Sequence, residues 1–440
     1  MKPSFTRWLA DYGMIFVLLL LCAFFSVVTY SEQSPTGEAA AKQVSAAIGG
    51  QFGKTARVLI AASDQPDDGA FAAKLERDLA ASGATVHAVV KGQPKDAREA
   101  LQKIAAGGGR LDAIACTQVT GAWLVFSDLK TDFPALGDPR VVTPRSYRWP
   151  NFLKSENLLN IANQIAVIAI VAIGMTMVII TGGIDLSVGS LLALSAVLAA
   201  KFIRDFAGGA EASAVGMFRA CAAAVMLCGV IGGFSGAMIT RFGIPPFIVT
   251  LAMMLVGSGF AYILAKGQSI YQIPDSFVWL GRGADLLRLP NAVVLMLVLY
   301  ALAHVLMSRM KLGRYLYAVG GNREAARLSG VPVQRVLLFA YIASALLAGL
   351  GGVIMASQLK SGSATYGNMY ELYVIAAVVV GGTSLSGGEG KMLGTLTGAF
   401  TIAVIQNGMN LTNVESYTQK VVLGMVILGA VLLDKVRQRR

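Results

Sequence analysis

The amino-acid sequence predicts an α-helical polytopic membrane protein of about ten transmembrane helices, with one small α/β domain inserted outside the membrane. Three observations carry this. The 440 residues are 55% hydrophobic and only 14% charged, with a mean hydropathy of +0.62. Apolar runs of bilayer-spanning length recur from residue 158 onward, and one interval, 31–150, turns soluble in composition. A chain this apolar and this long is not a soluble globular protein. Its net charge of +12 would suit nucleic acid, but residues 31–150 carry 14 Lys and Arg against 13 Asp and Glu. The basic excess therefore belongs to the membrane part, where it records positive-inside topology.

Taken in order, Lys2 and Arg7 precede an apolar stretch at 12–30, long enough to cross the ~30 Å hydrocarbon core as a helix. Ser26-Val27-Val28-Thr29-Tyr30 lacks a small-residue cleavage pattern, so the stretch is expected to be an uncleaved anchor and the chain after it exported. Residues 1–30 are thus a tail with the first helix, 31–150 the extracytoplasmic domain and 151–440 the transmembrane domain. Within 31–150, Arg57 to Ala62 reads as a buried strand and Asp68 to Ser82 as a helix stopped at Gly83. Ala84 to Val90 is a second strand, Lys95 to Ala106 a second helix, and Leu111 to Cys116 a third strand. Strands alternating with helices predict a parallel sheet. His87 falls on a strand face with no catalytic duty.

The spans are expected at about 158–181, 186–204, 216–240, 245–266, 290–308, 336–358, 372–388, 391–409 and 418–434. With the first anchor the count is even, which puts both termini on one side. Residues 309–335 hold six basic residues against Glu324, and the tail after Leu433 holds four against Asp434. In contrast, Arg282 and Arg288 balance Asp275 and Asp285 in 267–289. The termini and the 309–335 loop are therefore assigned to the cytoplasm. The run at 372–388 is short and runs into glycines, and is expected to be re-entrant or broken. Gly229, Gly232, Gly233, Gly236, Gly394 and Gly398 form small-residue pairs for close helix packing. His304 is expected to be an interfacial or packed residue.

Candidate functional residues follow from what membrane depth makes costly. Gly182 and Gly183 break an apolar run and deliver Asp185 at its end. A charge at a helix centre costs roughly 2.5–3.5 kcal/mol, so Asp185 belongs either in a water-side cap or in a polar pathway. Ser187 is a candidate cap for the next helix. Asn163, Gln164, Gln406 and Asn407 are uncharged amides at membrane depth, which prefer a partner or a wet cavity and would offer hydrogen bonds to a polyhydroxylated solute. Gly381 and Gly382 open a stretch that matches Gly182-Gly183 and its sequel, as a parallel repeat or as chance glycine-rich text. In the cytoplasmic loop, Asn322 is an N-cap, Glu324 sits in the first turn, Arg323 and Arg327 supply charge and Gly330 suits a left-handed stop. Ala325, Ala326 and Leu328 are expected to expose a small apolar face. That face suits either a partner's groove or anionic headgroups.

The stretches GMTMVIITGGIDLSVGS, GIPPFIVTLAMM, LGRYLYAVGGNREAARLSGV, IAAVVVGGTSLSGGEG and NGMNLTNVESYTQKVVLGMVILGAVLLD, in this order, resemble the permease subunits of ribose-type ABC sugar importers. The resemblance implies a pathway-forming subunit, without catalytic residues, cofactor or metal. It also implies pairing with a second permease, sugar delivered by an extracytoplasmic binding protein, and drive from a cytoplasmic ATPase through Arg323 to Ser329. Asp185 matches the acidic residue of the family's GGIDLS motif. Three features depart from the family: the 31–150 insertion, Tyr373 where Asp is usual, and Glu389 where Arg is usual. Within the insertion, GQPKDAREALQKIAAGGGRLDAIA resembles part of one lobe of periplasmic sugar-binding proteins; a docking or spacer role is expected.

Leu385-Ser386-Gly387-Gly388-Glu389 looks like the signature of ABC ATPases, yet no phosphate-binding loop exists in the chain. Hydrolysis must come from another subunit. Two alternatives stand beside the importer. A proton-coupled secondary transporter needs ionisable residues at the midplane, for which Asp185 and His304 are the candidates. A receptor would use the external domain, but little chain follows Leu433 to signal with. Cys22, Cys221 and Cys228 lie in apolar runs and Cys116 has no evident partner, which excludes a disulfide framework and metal spacing.

Overall fold

A computed structural model describes the backbone of residues 5–438 and the side chains of 13–432. The side chains of Lys2, Arg7, Asp434 and the terminal basic residues lie outside that range. The chain divides into two compact units: Tyr30–Pro150, and the first helix together with everything from Asn151 onward.

The first helix, α1 (Phe5–Val28), leads directly into the smaller unit. That unit comprises β1 (Tyr30–Gln33), α2 (Gly37–Phe52), β2 (Arg57–Ala62), α3 (Pro66–Ser82), β3 (Thr85–Lys91), α4 (Pro94–Ala106), β4 (Ala113–Cys116), β5 (Arg140–Val142) and β6 (Tyr147–Pro150). Four strands form a parallel sheet in the order β3-β2-β4-β5. Strand β2 is apolar without a break because both its faces are covered, as parallel sheets require. Val58, Ile60 and Ala62 face Val44, Ile48, Phe71 and Leu75 of α2 and α3. Leu59 and Ala61 face the other way, toward Leu101, Phe126 and Leu136. Gly83 stops α3 in the left-handed conformation at φ 88°. The sequence reading missed α2, β5, and the antiparallel pairing of β1 with β6, which sets Tyr30 opposite Pro150. These are short or alanine-rich segments that lack strong periodicity.

The larger unit is helical throughout: α5 (Ser155–Ile180), α6 (Val188–Phe206), α7 (Ala214–Phe242), α8 (Pro246–Ala265), α9 (Asn291–Arg309), α10 (Lys311–Gly321), α11 (Arg323–Leu328), α12 (Val333–Leu359), α13 (Tyr370–Val380), α14 (Met392–Leu411) and α15 (Ser416–Gln438). Among the described residues, α5, α7, α8, α9 and α12 are long and apolar enough to cross a membrane, and shorter apolar helices occur at Gly13–Val28, Tyr370–Val380 and Ser416–Leu432. Helix α5 is the hub. Its residues 165–180 are all buried, so it is apolar on every side. Against it and α6 packs α12, which is also pressed to α7. Glycines let α7 and α12 meet: a Cβ at Gly232 would stand 2.5 Å from that of Ala345, and one at Gly236 would stand 2.9 Å from Leu338.

The run at 372–388, expected to be re-entrant or broken, is broken: α13 ends at Val380, where Gly382 turns left-handed at φ 87°. The run at 391–409 is the unbroken α14, whose glycines Gly394 and Gly398 fit against the backbone of Gly381 and Ala377. The 309–335 loop is also mostly helical, through α10 and α11.

Candidate functional site

Both glycine breaks are the same device. At the end of α5, Gly182 has φ 78°, its N–H donates to the Ile179 carbonyl at 2.9 Å, and the Gly183 N–H donates to Val178 at 3.1 Å. After α13, Gly382 N–H donates to Val379 at 2.9 Å and Thr383 N–H to Val378 at 3.1 Å. This double bond pattern around a left-handed glycine is the Schellman stop, which satisfies carbonyls a helix end leaves free. The geometry pairs Gly182 with Gly382 and Gly183 with Thr383. The sequence match of Gly182 with Gly381 is therefore one residue out of register, and Asp185 has Leu385, not an acid, as its counterpart.

Asp185 is 2% exposed. One carboxylate oxygen accepts from the Ser187 N–H at 3.0 Å and the Ser187 hydroxyl at 2.6 Å, and the other accepts from the Ser344 hydroxyl at 2.8 Å. It neither caps a helix at water nor lines either of the two cavities described below. Instead it ties the first break to α12. Ser187, expected as a side-chain cap, gives its hydroxyl to Asp185 and makes no capping bond.

The two breaks touch each other and the end of α10. The Gly388 N–H donates to the Ile180 carbonyl at 2.8 Å, and the Tyr317 hydroxyl donates to the Gly390 carbonyl at 2.7 Å. Gly320 lies so close to Ile180 that any side chain there would overlap its carbonyl. Helix α11 starts immediately beyond. Asn322 accepts from the Ala325 N–H at 2.9 Å, Arg327 pairs with Glu324 at 2.9 Å, and Gly330 ends the helix at φ 82°. Leu328 is 81% exposed, with Arg323 and Ala325 also at the surface. Ala326 corrects the expectation of a continuous exposed apolar face. It is buried, because on a single-turn helix the side opposite Leu328 must rest on something.

The four amides separate into two kinds. Gln164 and Gln406 line a cavity of about 280 Å³, together with Gln358 and Tyr370 and an apolar wall that includes Ile165 and Met355. Asn163 stands outside it, donating to the Gly281 carbonyl at 3.1 Å while its own carbonyl accepts from Gln358 at 3.0 Å. Asn407 is paired reciprocally with Asn157 at 2.8 and 3.0 Å. Both asparagines are tied to protein partners and lie outside this cavity. Gln358 and Tyr370 were missed, although Gln358, at the end of an apolar run, carries the same signal as the amides that were chosen.

Residues 157–431 match the family model described as "Branched-chain amino acid transport system / permease component". The chain belongs to this permease family. Curated relatives agree. The permease is 43% identical over 293 residues to the ribose import permease protein RbsC of Escherichia coli (strain K12), covering 66% of this chain and 88% of the relative. It is 43% identical over 288 residues to RbsC of Bacillus subtilis (strain 168), covering 65% and 87%, and 35% identical over 290 residues to the L-arabinose transport system permease protein AraH of Escherichia coli (strain K12), covering 66% and 86%. No solved structure matches the permease. It is a multi-pass membrane transport protein and not an enzyme.

Proposed function

We propose that the protein is the translocation subunit of an ATP-driven importer for a monosaccharide, ribose or a closely related sugar. The observation that carries the reading is the cavity in which Gln164 and Gln406 make no hydrogen bond to other described residues. Each amide offers two donors and an acceptor, which suits a neutral polyol. The names of the relatives, importers of ribose and arabinose, support the substrate class.

On this reading a separate cytoplasmic ATPase receives α11 in a groove, with the exposed Leu328 as the apolar anchor. Motion of α11 passes into α10, whose Gly320 is seated on Ile180, and so to both helix breaks at once. Close-packed contacts of this kind switch between discrete arrangements instead of yielding gradually. A second permease copy or paralogue completes the pathway, an extracytoplasmic binding protein supplies sugar, the termini are cytoplasmic, and Tyr30–Pro150 lies outside as a docking or spacer unit.

The test is uptake of labelled ribose by cells expressing the permease with its neighbouring ATPase. Uptake should persist under a proton uncoupler and cease on ATP depletion. Uptake that stops with the uncoupler while ATP is held constant overturns the proposal in favour of proton coupling.

A further inference from the structure

The chain enters α13 through a sharp turn, with Gly367 at φ 68° and Met369 at φ 64°. Successive side chains then face different spaces. Tyr370 lines the amide cavity, whereas Glu371 lines a second cavity of about 240 Å³. Its walls include Ser190 at the start of α6, Ser258 and Tyr262 of α8, and Thr365 and Asn368. Glu371 is half-buried and meets no cation among the described residues. Any side chain at Gly189 would collide with its carboxylate, so the glycine makes room for it.

Depth gives this carboxylate meaning. Ser258 stands in the middle of α8, a helix long and apolar enough to span a membrane. An acid at such a level is costly unless it faces a polar pathway. The walls hold hydroxyl and amide groups in place of converging acids, and no cluster of three His, Cys, Asp or Glu suited to a metal occurs among the described residues.

We propose that Glu371, with Asn368 and Ser258, forms a second sugar compartment that selects solutes carrying the vicinal diol at C2 and C3. An ionised carboxylate accepts only, through two oxygens, and two adjacent sugar hydroxyls donate to it in parallel as charge-assisted bonds. Sugar leaving the amide cavity crosses the first turn of α13 and is read here. Sites built to bond a substrate hydroxyl strongly reject the analogue without it, since the buried acceptor is then left unpaired. The inference rests on the importer reading and assigns its selectivity.

The experiment uses proteoliposomes holding the full-length permease with its ATPase and binding protein, and compares ribose with 2-deoxyribose, which lacks the 2-hydroxyl and so cannot present the C2–C3 diol. Glu371→Ala should lower the preference for ribose in kcat/KM by at least about tenfold. Gln406→Ala, in the other cavity, should slow both sugars and keep the preference. Should Glu371→Ala fail to insert, Ser258→Ala is the deciding variant, with a smaller loss of preference expected. Wild-type preference in Glu371→Ala, or in Ser258→Ala where Glu371→Ala fails to insert, with ribose still imported, overturns this inference and leaves the importer reading standing. A wild-type protein that imports neither sugar overturns both.

Discussion

Asn407 and Gln406 are neighbours in sequence with similar side chains, and what separates them is whether another amide is within reach. Asn407 finds Asn157 and closes a two-bond ring, whereas Gln406 finds a cavity. Truncation should therefore divide them cleanly. Gln406→Ala is expected to raise the KM for uptake about tenfold, or ~1.4 kcal/mol. Asn407→Ala is expected to leave KM unchanged but lower the melting temperature in detergent, because the Asn157 side-chain oxygen loses its donor, at a cost of about 1 kcal/mol. A second residue-level prediction concerns the smaller unit. Arg57 donates to both oxygens of Asp112 at 2.8 and 3.0 Å, which holds that carboxyl below its usual range. The bond's contribution is full above the ordinary carboxylate range and fades as pH falls through the lowered value. The melting temperature of the unit should decline over that acid window, and Asp112→Asn should remove this part of the slope. The amides were visible in the sequence as polar residues in apolar runs, but which of them were paired depended on partners up to 250 residues away.

Among the elements, α11 was the most legible, because every part of it is local: the Asn322 cap, the Glu324–Arg327 pair and the Gly330 stop lie within nine residues. Ala326 escaped because burial on so short a helix depends on what it rests against. The glycine breaks were legible as breaks and misread in register, since aligning one glycine pair with another does not reveal which glycine of each pair turns left-handed. The break after α13 was legible too, because the apolar run stops at Val380 and gives way to glycines and serines. The coupling role proposed for α11 predicts that Leu328→Asp abolishes uptake and ATPase coupling while membrane insertion, read by protease protection, stays intact. Normal coupled uptake in that variant would remove α11 from the mechanism.

For the whole molecule, the division into a membrane class and an inserted α/β interval was readable from composition, because hydrocarbon and water select different residues over long windows. The matched segments of the relatives use 86% to 88% of their own length, which leaves too little of them to hold a unit the size of Tyr30–Pro150. Its ends lie side by side, since Tyr30 pairs with Pro150 and the Asn151 N–H donates to the Thr29 carbonyl at 2.9 Å. Replacing residues 31–149 with a short Gly-Ser linker should therefore preserve insertion. If the unit is a spacer, ribose uptake should also survive; loss of uptake with insertion intact would assign it a working part.

The paired strands β1 and β6 hold the two ends of that unit side by side. Whatever is mounted there need only bring two chain ends about 5 Å apart, the spacing of one antiparallel pair, to leave the membrane helices undisturbed. The junction at Thr29 and Asn151 is thus a natural splice point, where a fluorescent or affinity module should be exchangeable for the native one without rebuilding the carrier.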